Sequence, residues 1–284
     1  MIARPRGEYP LTLMCRVLAV APSGFHAWQT RAPSARATAD AVLRVQIAAT
    51  HQRARQEYGA RGHQRALRAT GQRISRRRTR RLMQEAQCVA WPARRWRVTT
   101  QADPALPVAP NHLARQFAVA TPNRVWAADL TYCWTQEGWL YLAVVLDLCS
   151  LRVVGWATSP APDARVALTA WQQATALRQP APGRLHHSDR GSIYAGRAYQ
   201  EALAQQQAIP SMSRRGNCWD NAVVESFFAT LKRGLVHRQT WATRSSLLRA
   251  LTDYIERWYN RERRHSHLGY VSPIAYEAQL ARAA

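Results

Sequence analysis

The sequence predicts an α/β fold, a mixed sheet flanked by helices and preceded by small all-α helix-turn-helix segments. Two textures and one number carry this. Before residue 90 the apolar residues fall at helical spacing between Gly and Ser breaks; from Val125 they run in strand-length, β-rich stretches that later alternate with helical patterns. The number is charge: forty basic residues against seventeen acidic give +23, and all the basic residues but Lys232 are Arg. A chain this basic usually meets a polyanion. At 47% hydrophobic it can bury a core, so wholesale disorder is excluded. No apolar run approaches the roughly 18 residues of a membrane span, so no membrane partner is expected. Five scattered cysteines argue against a disulfide framework or a zinc knuckle and suit a reducing cytoplasm.

The elements follow in order. Leu11, Leu13, Val17 and Leu18, then a Pro-Ser-Gly turn, then Phe25 and Trp28 read as a helix-turn-helix, with Ser23 capping its second helix. Asp40 to about Ala54 reads as a helix with Val42, Val45, Ile47 and Ala48 inward. Tyr58 to Gly62 is a break, His63 to Thr70 a helix, and Gly71 its stop. Ile74-Ser75 opens a further helix with Leu82 and Met83 apolar and Arg76, Arg77, Arg78, Arg80 and Arg81 outward. Like charges at i,i+4 repel, and phosphates relieve that repulsion, so these arginines are expected to contact nucleic acid. Residues 1–100 carry a net +16 and the rest only +7, which makes the N-terminal third the main phosphate-binding part. The Pro-rich stretch that follows, with Trp91, Arg94, Arg95, Trp96 and Arg97 at its start, is a linker. Those five residues fit either a DNA backbone or the next domain. The expected partition is 1–35, 36–100, a linker at 101–122, and 123–284.

Val125 to Tyr132, Trp139 to Leu148 and Leu151 to Thr158 read as strands of an antiparallel meander. Asp163–Arg178 is a helix, Arg184–Asp189 a short strand, Tyr194–Gln206 a helix, Ala208–Met212 a strand, Asp220 to about Val236 a helix, and Arg244–Arg261 a long closing helix. Helices are then expected on both faces of the sheet.

Three carboxylates stand out. Asp129 lies within a strand among Trp126, Ala127, Ala128 and Leu130, Asp189 ends another strand, and Glu225 sits in an apolar helix among Val223, Val224, Phe227 and Phe228. A carboxylate in such a setting is costly unless paired or bound to a cation. Converging on one point, the three would suit Mg²⁺, and two such ions ~4 Å apart can hold the attacking and leaving oxygens of a phosphodiester displacement. His186 and His187 are weaker ligand candidates, since strand alternation points one of them away from Asp189. Asp147 reads as structural. Asn217, Asp220 and Asn221 read as residues that cap or precede the Glu225 helix. Arg261, Arg263, Arg264 and His265 form a basic cluster expected to meet DNA, and the bulky Trp219 is a candidate for stacking on a base.

The blocks Trp126-Ala-Ala-Asp129-Leu-Thr-Tyr132, His186-His-Ser-Asp189-Arg-Gly191, Asn217-Cys-Trp-Asp-Asn-Ala-Val-Val-Glu225 through Lys232, and Tyr259-Asn-Arg-Glu-Arg-Arg-His265 through Pro273 resemble the DDE transposase and integrase superfamily. More closely, they resemble the OrfB part of transposases of the insertion sequence 3 family. Thirty-five residues separate Asp189 from Glu225, as in that family. The resemblance implies an RNase H-like integrase catalytic core at 123–284, with Asp129, Asp189 and Glu225 as catalytic, metal-binding triad. It makes Lys232, two helical turns after Glu225, the family's basic DNA-contacting residue. The sequence departs from the family at Ile193, near Leu151, and at Gly234, where relatives often carry an acid.

The implied activity is metal-dependent strand cleavage at the ends of an insertion sequence, then 3′-OH strand transfer, with two Mg²⁺ (or Mn²⁺) ions and no covalent protein intermediate. The implied partners are element-end and target DNA, further copies of the chain on that DNA, and an upstream OrfA product or fusion. The implied location is the bacterial cytoplasm, at the nucleoid. Two rivals stay open here: a nuclease of the same fold that only hydrolyses, and a DNA-binding regulator with a decayed core.

Overall fold

The computed structural model describes residues 9–90, 108–215 and 217–283. The first eight residues, Gly216, and the start of the linker with Trp91, Arg94, Arg95, Trp96 and Arg97 lie outside the described residues. No helix among the described residues is long and apolar enough to cross a membrane.

The N-terminal part is helical: α1 (Leu11–Val17), α2 (Pro22–Thr30), α3 (Ala35–Arg53), α4 (Ala60–Ala69) and α5 (Arg76–Glu85). The expected Ser23 cap is not made. Pro22 takes the first helical position, where its missing N–H costs nothing, and Ala21 flanks it. Helix α3 begins earlier than expected because Ser34 Oγ accepts the Ala37 N–H at 3.2 Å. Its inward face is also rotated from the predicted one. Asp40, Leu43, Ile47 and His51 are buried, whereas Val42 and Val45 are exposed. Asp40 is the reason, since its carboxylate accepts Arg78 Nε at 2.7 Å and Arg81 Nη2 at 2.5 Å from α5. That clamp turns Leu43 and Ile47 onto Leu67, Leu82 and Met83.

The core sheet holds β1 (Val125–Thr135), β2 (Gly138–Asp147), β3 (Val153–Ser159), β4 (Leu185–Ser188) and β5 (Ile209–Met212) in the order β3-β2-β1-β4-β5. The first three form the expected antiparallel meander, and β4 runs parallel to both β1 and β5. On one face Trp126, Ala128, Ala143 and Val145 pack against α6 (Ala164–Arg178) and α8 (Arg197–Gln205). Helix α6 lies so close to β3 that a Cβ on Gly155 would strike the Ala170 carbonyl. Gly196 splits the helix expected over 194–206 into α7 (Ser192–Ala195) and α8.

On the other face Ala127, Leu142, Val144 and Leu146 meet α9 (Ala222–Gly234) and α10 (Arg244–Thr252). The long closing helix is not uniform. Residues Asp253–Tyr259 form a π-helical turn, wider than an α-helical one, in which Tyr254, Ile255, Trp258 and Tyr259 are all buried. An unpredicted α11 (Pro273–Ala283) returns Glu277 to Arg152 and Arg178 at 2.8 and 2.9 Å.

The helical part docks onto this second face. Trp258 Nε1 donates to the Arg53 carbonyl at 3.1 Å, the Arg264 N–H to Tyr58 Oη at 2.7 Å, and Arg55 pairs with Asp253. Glu57 enters deepest, accepting from Tyr254 Oη at 3.2 Å and Arg263 Nε at 3.5 Å. It fits because residue 234 is glycine, where a Cβ would collide with Glu57 Oε1.

Candidate active site

The parallel ladder between β1 and β4 pairs Val125 with Leu185, Trp126 with His186 and Ala127 with His187, and then stops. Continuing that register sets Asp129 beside Asp189, on the face shared by Ala127 and His187. The two acids thus sit where the strands part. Asp129 Oδ1 accepts its neighbour Leu130 N–H at 2.8 Å, and Asp189 Oδ1 accepts the Gly191 N–H at 2.9 Å. Arg190, adjacent in sequence, spends its Nε on the Ser213 carbonyl at 2.5 Å.

Glu225 comes from the first turn of α9. Asn221 Nδ2 ties that helix start to the Ala128 carbonyl at 3.2 Å, and Val224, Phe227, Phe228 and Leu231 root the helix in the core. The side of α9 left over carries Glu225 and, seven residues on, Lys232. Lys232 Nζ lies over the Tyr132 ring, 5.0 Å from its centroid.

Burial and charge crowding act together on the cluster. Burial, then the charges of Asp189 and Glu225, hold the proton on Asp129 well above the usual carboxylate range. Burial and Asp189 push Glu225 up to about 7. Burial lowers the Lys232 ammonium, and Asp129 partly restores it. Tyr194 was not singled out from sequence. Its hydroxyl is buried with no hydrogen-bond partner among the described residues, near enough to Asp129 and Asp189 to feel both charges. Only the orphaned phenol marks it, and no local pattern announces that.

The remaining candidates are placed differently. His186 bonds Tyr199 Oη at 3.0 Å, and His187 bonds Ser211 and Ser213 at 2.9 and 3.2 Å, so both rings are tied into the fold. Asp147 accepts from Asn123, Trp126, Cys149 and Ser150, the structural role expected of it. Asn221 flanks α9 without capping it, while Asp220 holds the preceding turn through Arg115 and Arg214, both at 2.8 Å. Trp219 is exposed. Arg76, Arg77 and Arg80 are exposed, but Arg78 and Arg81 are half-buried on Asp40.

The basic cluster after the π-helical turn divides. Arg261 is exposed. His265 is buried, and Arg263 faces Glu57, Trp258, Tyr259 and His265 rather than solvent, a correction to the surface position expected of them. Arg264 is half-buried, with Nη1 on the Tyr270 carbonyl at 3.0 Å. Desolvation by the docked helices is why Arg263 and His265 lie inside.

The donor set fits a hard divalent cation. It consists of carboxylate oxygens, whose mutual repulsion a cation would relieve, while His186 and His187 are engaged elsewhere and burial pushes the Cys133 thiol up to about 11. Among the described residues no three acids, histidines or cysteines stand as a preformed ion-holding group.

Residues 120–218 match the family described as integrase core domain, and 206–273 match a second family of that description. Residues 38–96 match the HTH-like domain. The insertion element IS600 uncharacterized 31 kDa protein of Shigella sonnei is 41% identical over 93% of this chain and 97% of its own length. Transposase InsF for insertion sequence IS3A of Escherichia coli (strain K12) is 37% identical over 97% of this chain and 96% of its own. Among solved structures, a chain of the simian T-cell lymphotropic virus intasome in complex with PP2A regulatory subunit B56 gamma aligns with TM-score 0.47 at 17% identity, over 75% of this chain and 70% of that one.

Proposed function

The chain belongs to the insertion sequence 3 family of transposases, with an integrase core, and from that premise we propose that Asp129, Asp189 and Glu225 are its catalytic carboxylates. One observation carries the reading: three acids lie within electrostatic reach of one another where β1 and β4 part, and burial, then their repulsion, favours the protonated forms of Asp129 and Glu225. These residues would hold Mg²⁺, with Mn²⁺ as a substitute and two ions in the active complex. When bound, the metal would supply Lewis-acid stabilisation to the attacking and leaving oxygens of a phosphodiester.

The chemistry is two displacements at phosphorus. Water displaces a 3′-oxygen at the element end, and the freed 3′-OH then displaces an oxygen in target DNA, losing its proton as the new P–O bond forms. In support, the backbone donors at Leu130 and Gly191 orient two carboxylates, and Asn221 fixes the helix bearing the third. Lys232 offers a compact ammonium to a phosphate at that point. Arg76, Arg77 and Arg80 supply backbone contacts through the helical part, while Arg78 and Arg81 hold the helix that presents them. The partners are element-end and target DNA, further copies of the chain to bring two ends together, and an OrfA product.

The test is joining of pre-cut oligonucleotide ends to a plasmid in Mg²⁺ or Mn²⁺, with and without OrfA. Joined product from wild type and none from Glu225→Gln is expected. Equal joining by both proteins would remove Glu225 from the site, and cleavage without joining would make the chain a nuclease.

A further inference from the structure

Among the described residues, the sheet face that α6 covers near Ala143 and Val145 is open to solvent towards the β1–β2 turn. Its last positions are aromatic: Tyr132 pairs across the strands with Tyr141, and Trp134 with Trp139, so all four rings share one face. Trp134 meets Trp139 edge-on at 4.8 Å, and Trp139 meets Tyr132 edge-on at 4.9 Å. Such contacts brace rings without stacking them on one another; Lys232 lies over Tyr132, so Trp134 and Trp139 are the rings that offer surface to a further π-system. Trp134 is 54% exposed, Trp139 41% and Tyr132 37%, a concentration of apolar surface that solvent disfavours. The tip is held still: Arg244 Nε donates to the Trp139 carbonyl at 2.9 Å, and the Arg244 N–H to Glu137 Oε2 at 2.8 Å.

The patch and Asp129 lie on opposite faces of the sheet and communicate at one edge. Beyond Ala127, β1 has lost β4 as a neighbour, and Lys232, from the α9 side, reaches the Tyr132 ring across that free edge. The same ammonium feels the Asp129 charge, so it links the carboxylate side to the first ring.

We infer that this hairpin face is a stacking platform for the bases of a DNA strand whose reacting phosphate lies at the carboxylates, with Lys232 on the phosphate between the two. The inference rests on the catalytic reading of Asp129, Asp189 and Glu225. A base carries a flat π-face with a phosphate attached, which matches a ring beside an ammonium. A second copy of this chain, at +23, brings like charge to the same place.

The experiment uses the full chain with element-end oligonucleotides carrying a single-stranded tail, 5-iodouracil near the reactive 3′ end, and metal chelated. Irradiation should cross-link the peptide spanning residues 132–141. Alanine at Trp134 and Trp139 should weaken binding roughly 5- to 150-fold per ring, while phenylalanine at both should keep most of it. Both side chains are exposed, so thermal unfolding of the variants should match wild type. Cross-links confined to other peptides, or double-alanine binding within about twofold of wild type, overturns the platform. So does a change in solution oligomeric state at unchanged affinity, which would make the patch a protein interface. Plasmid joining by wild type and by Glu225→Gln, run on the same substrates, judges the triad separately.

Discussion

Glu57 at the docking junction and Asp129 where β1 and β4 part are both carboxylates that burial drives towards protonation. They differ in what surrounds them. The Arg263 guanidinium and the Tyr254 hydroxyl draw Glu57 back towards its ionised form, whereas Asp189 and Glu225 push Asp129 further from it. The junction is thus a finished interaction, with every charge answered from within the chain. Asp129 is answered only in part: the Leu130 N–H and Lys232 draw it back, against burial and the charges of Asp189 and Glu225. Other acids of the core follow the junction's pattern: Asp220 is held ionised by Arg214 and Arg115, and Glu277 by Arg178 and Arg152. Burial alone does not mark chemistry; burial among like charges does.

The largest expected effect lies at the carboxylates. Asp129→Asn and Glu225→Gln should each lower strand joining on the order of 10³-fold, with thermal stability equal to wild type or higher because a repulsion is removed. A clear loss of stability would put these acids in the junction's class.

The junction should respond in the opposite way. Arg263→Ala leaves Glu57 buried without its guanidinium and should cost about 3 kcal/mol in denaturant unfolding. Gly234→Ala, by displacing Glu57, should cost about 1–3 kcal/mol. An Arg263→Ala protein of normal stability that binds DNA poorly would return Arg263 to the DNA surface.

Acidity sharpens the contrast next. Glu225 binds its proton more tightly folded than unfolded, so its contribution to metal-free stability is present at low pH. It is lost as pH rises from the ordinary carboxylate range towards about 7. Solvent screens a half-buried group, which puts the loss on the order of 1 kcal/mol. Metal-free wild type should therefore weaken between about pH 5 and pH 8 more than Glu225→Gln, and Mg²⁺ should stabilise it most at the alkaline end. A wild type that strengthens over this range would contradict the crowding.

The smallest effects separate the arginines of α5. Alanine at Arg76, Arg77 or Arg80 should each reduce the salt slope of DNA binding by about 0.9, leaving stability within about 0.5 kcal/mol. Alanine at Arg78 or Arg81 should instead cost about 1 kcal/mol of stability, read by thermal unfolding.

The meander and the three acids were legible because each contradicts its local setting in a way that one window of sequence displays. Asp129 is a charge inside an apolar strand, and no neighbour in the chain excuses it. The junction was not legible: Glu57 and Arg263 lie far apart in sequence, and Arg263 in an arginine-rich block reads as surface until the helices that cover it are known. The face of α3 was misread for a related reason. Val42 and Val45 outrank Asp40 in hydrophobicity, but Arg78 and Arg81 on another helix decide the rotation. The π-helical turn hides within an ordinary helical periodicity, and the aromatic tip of the hairpin alternates just as a core strand does. In each case the deciding partner was remote.

The Asn221 amide grips the Ala128 carbonyl, one residue before Asp129 and, on its own helix, four before Glu225. Strand and helix therefore travel together, and two of the three acids belong to one rigid body. The third acid is anchored separately, by the Gly191 N–H on the turn that leaves β4. A change at Asn221 would therefore disturb two of the carboxylates together and leave the third in place.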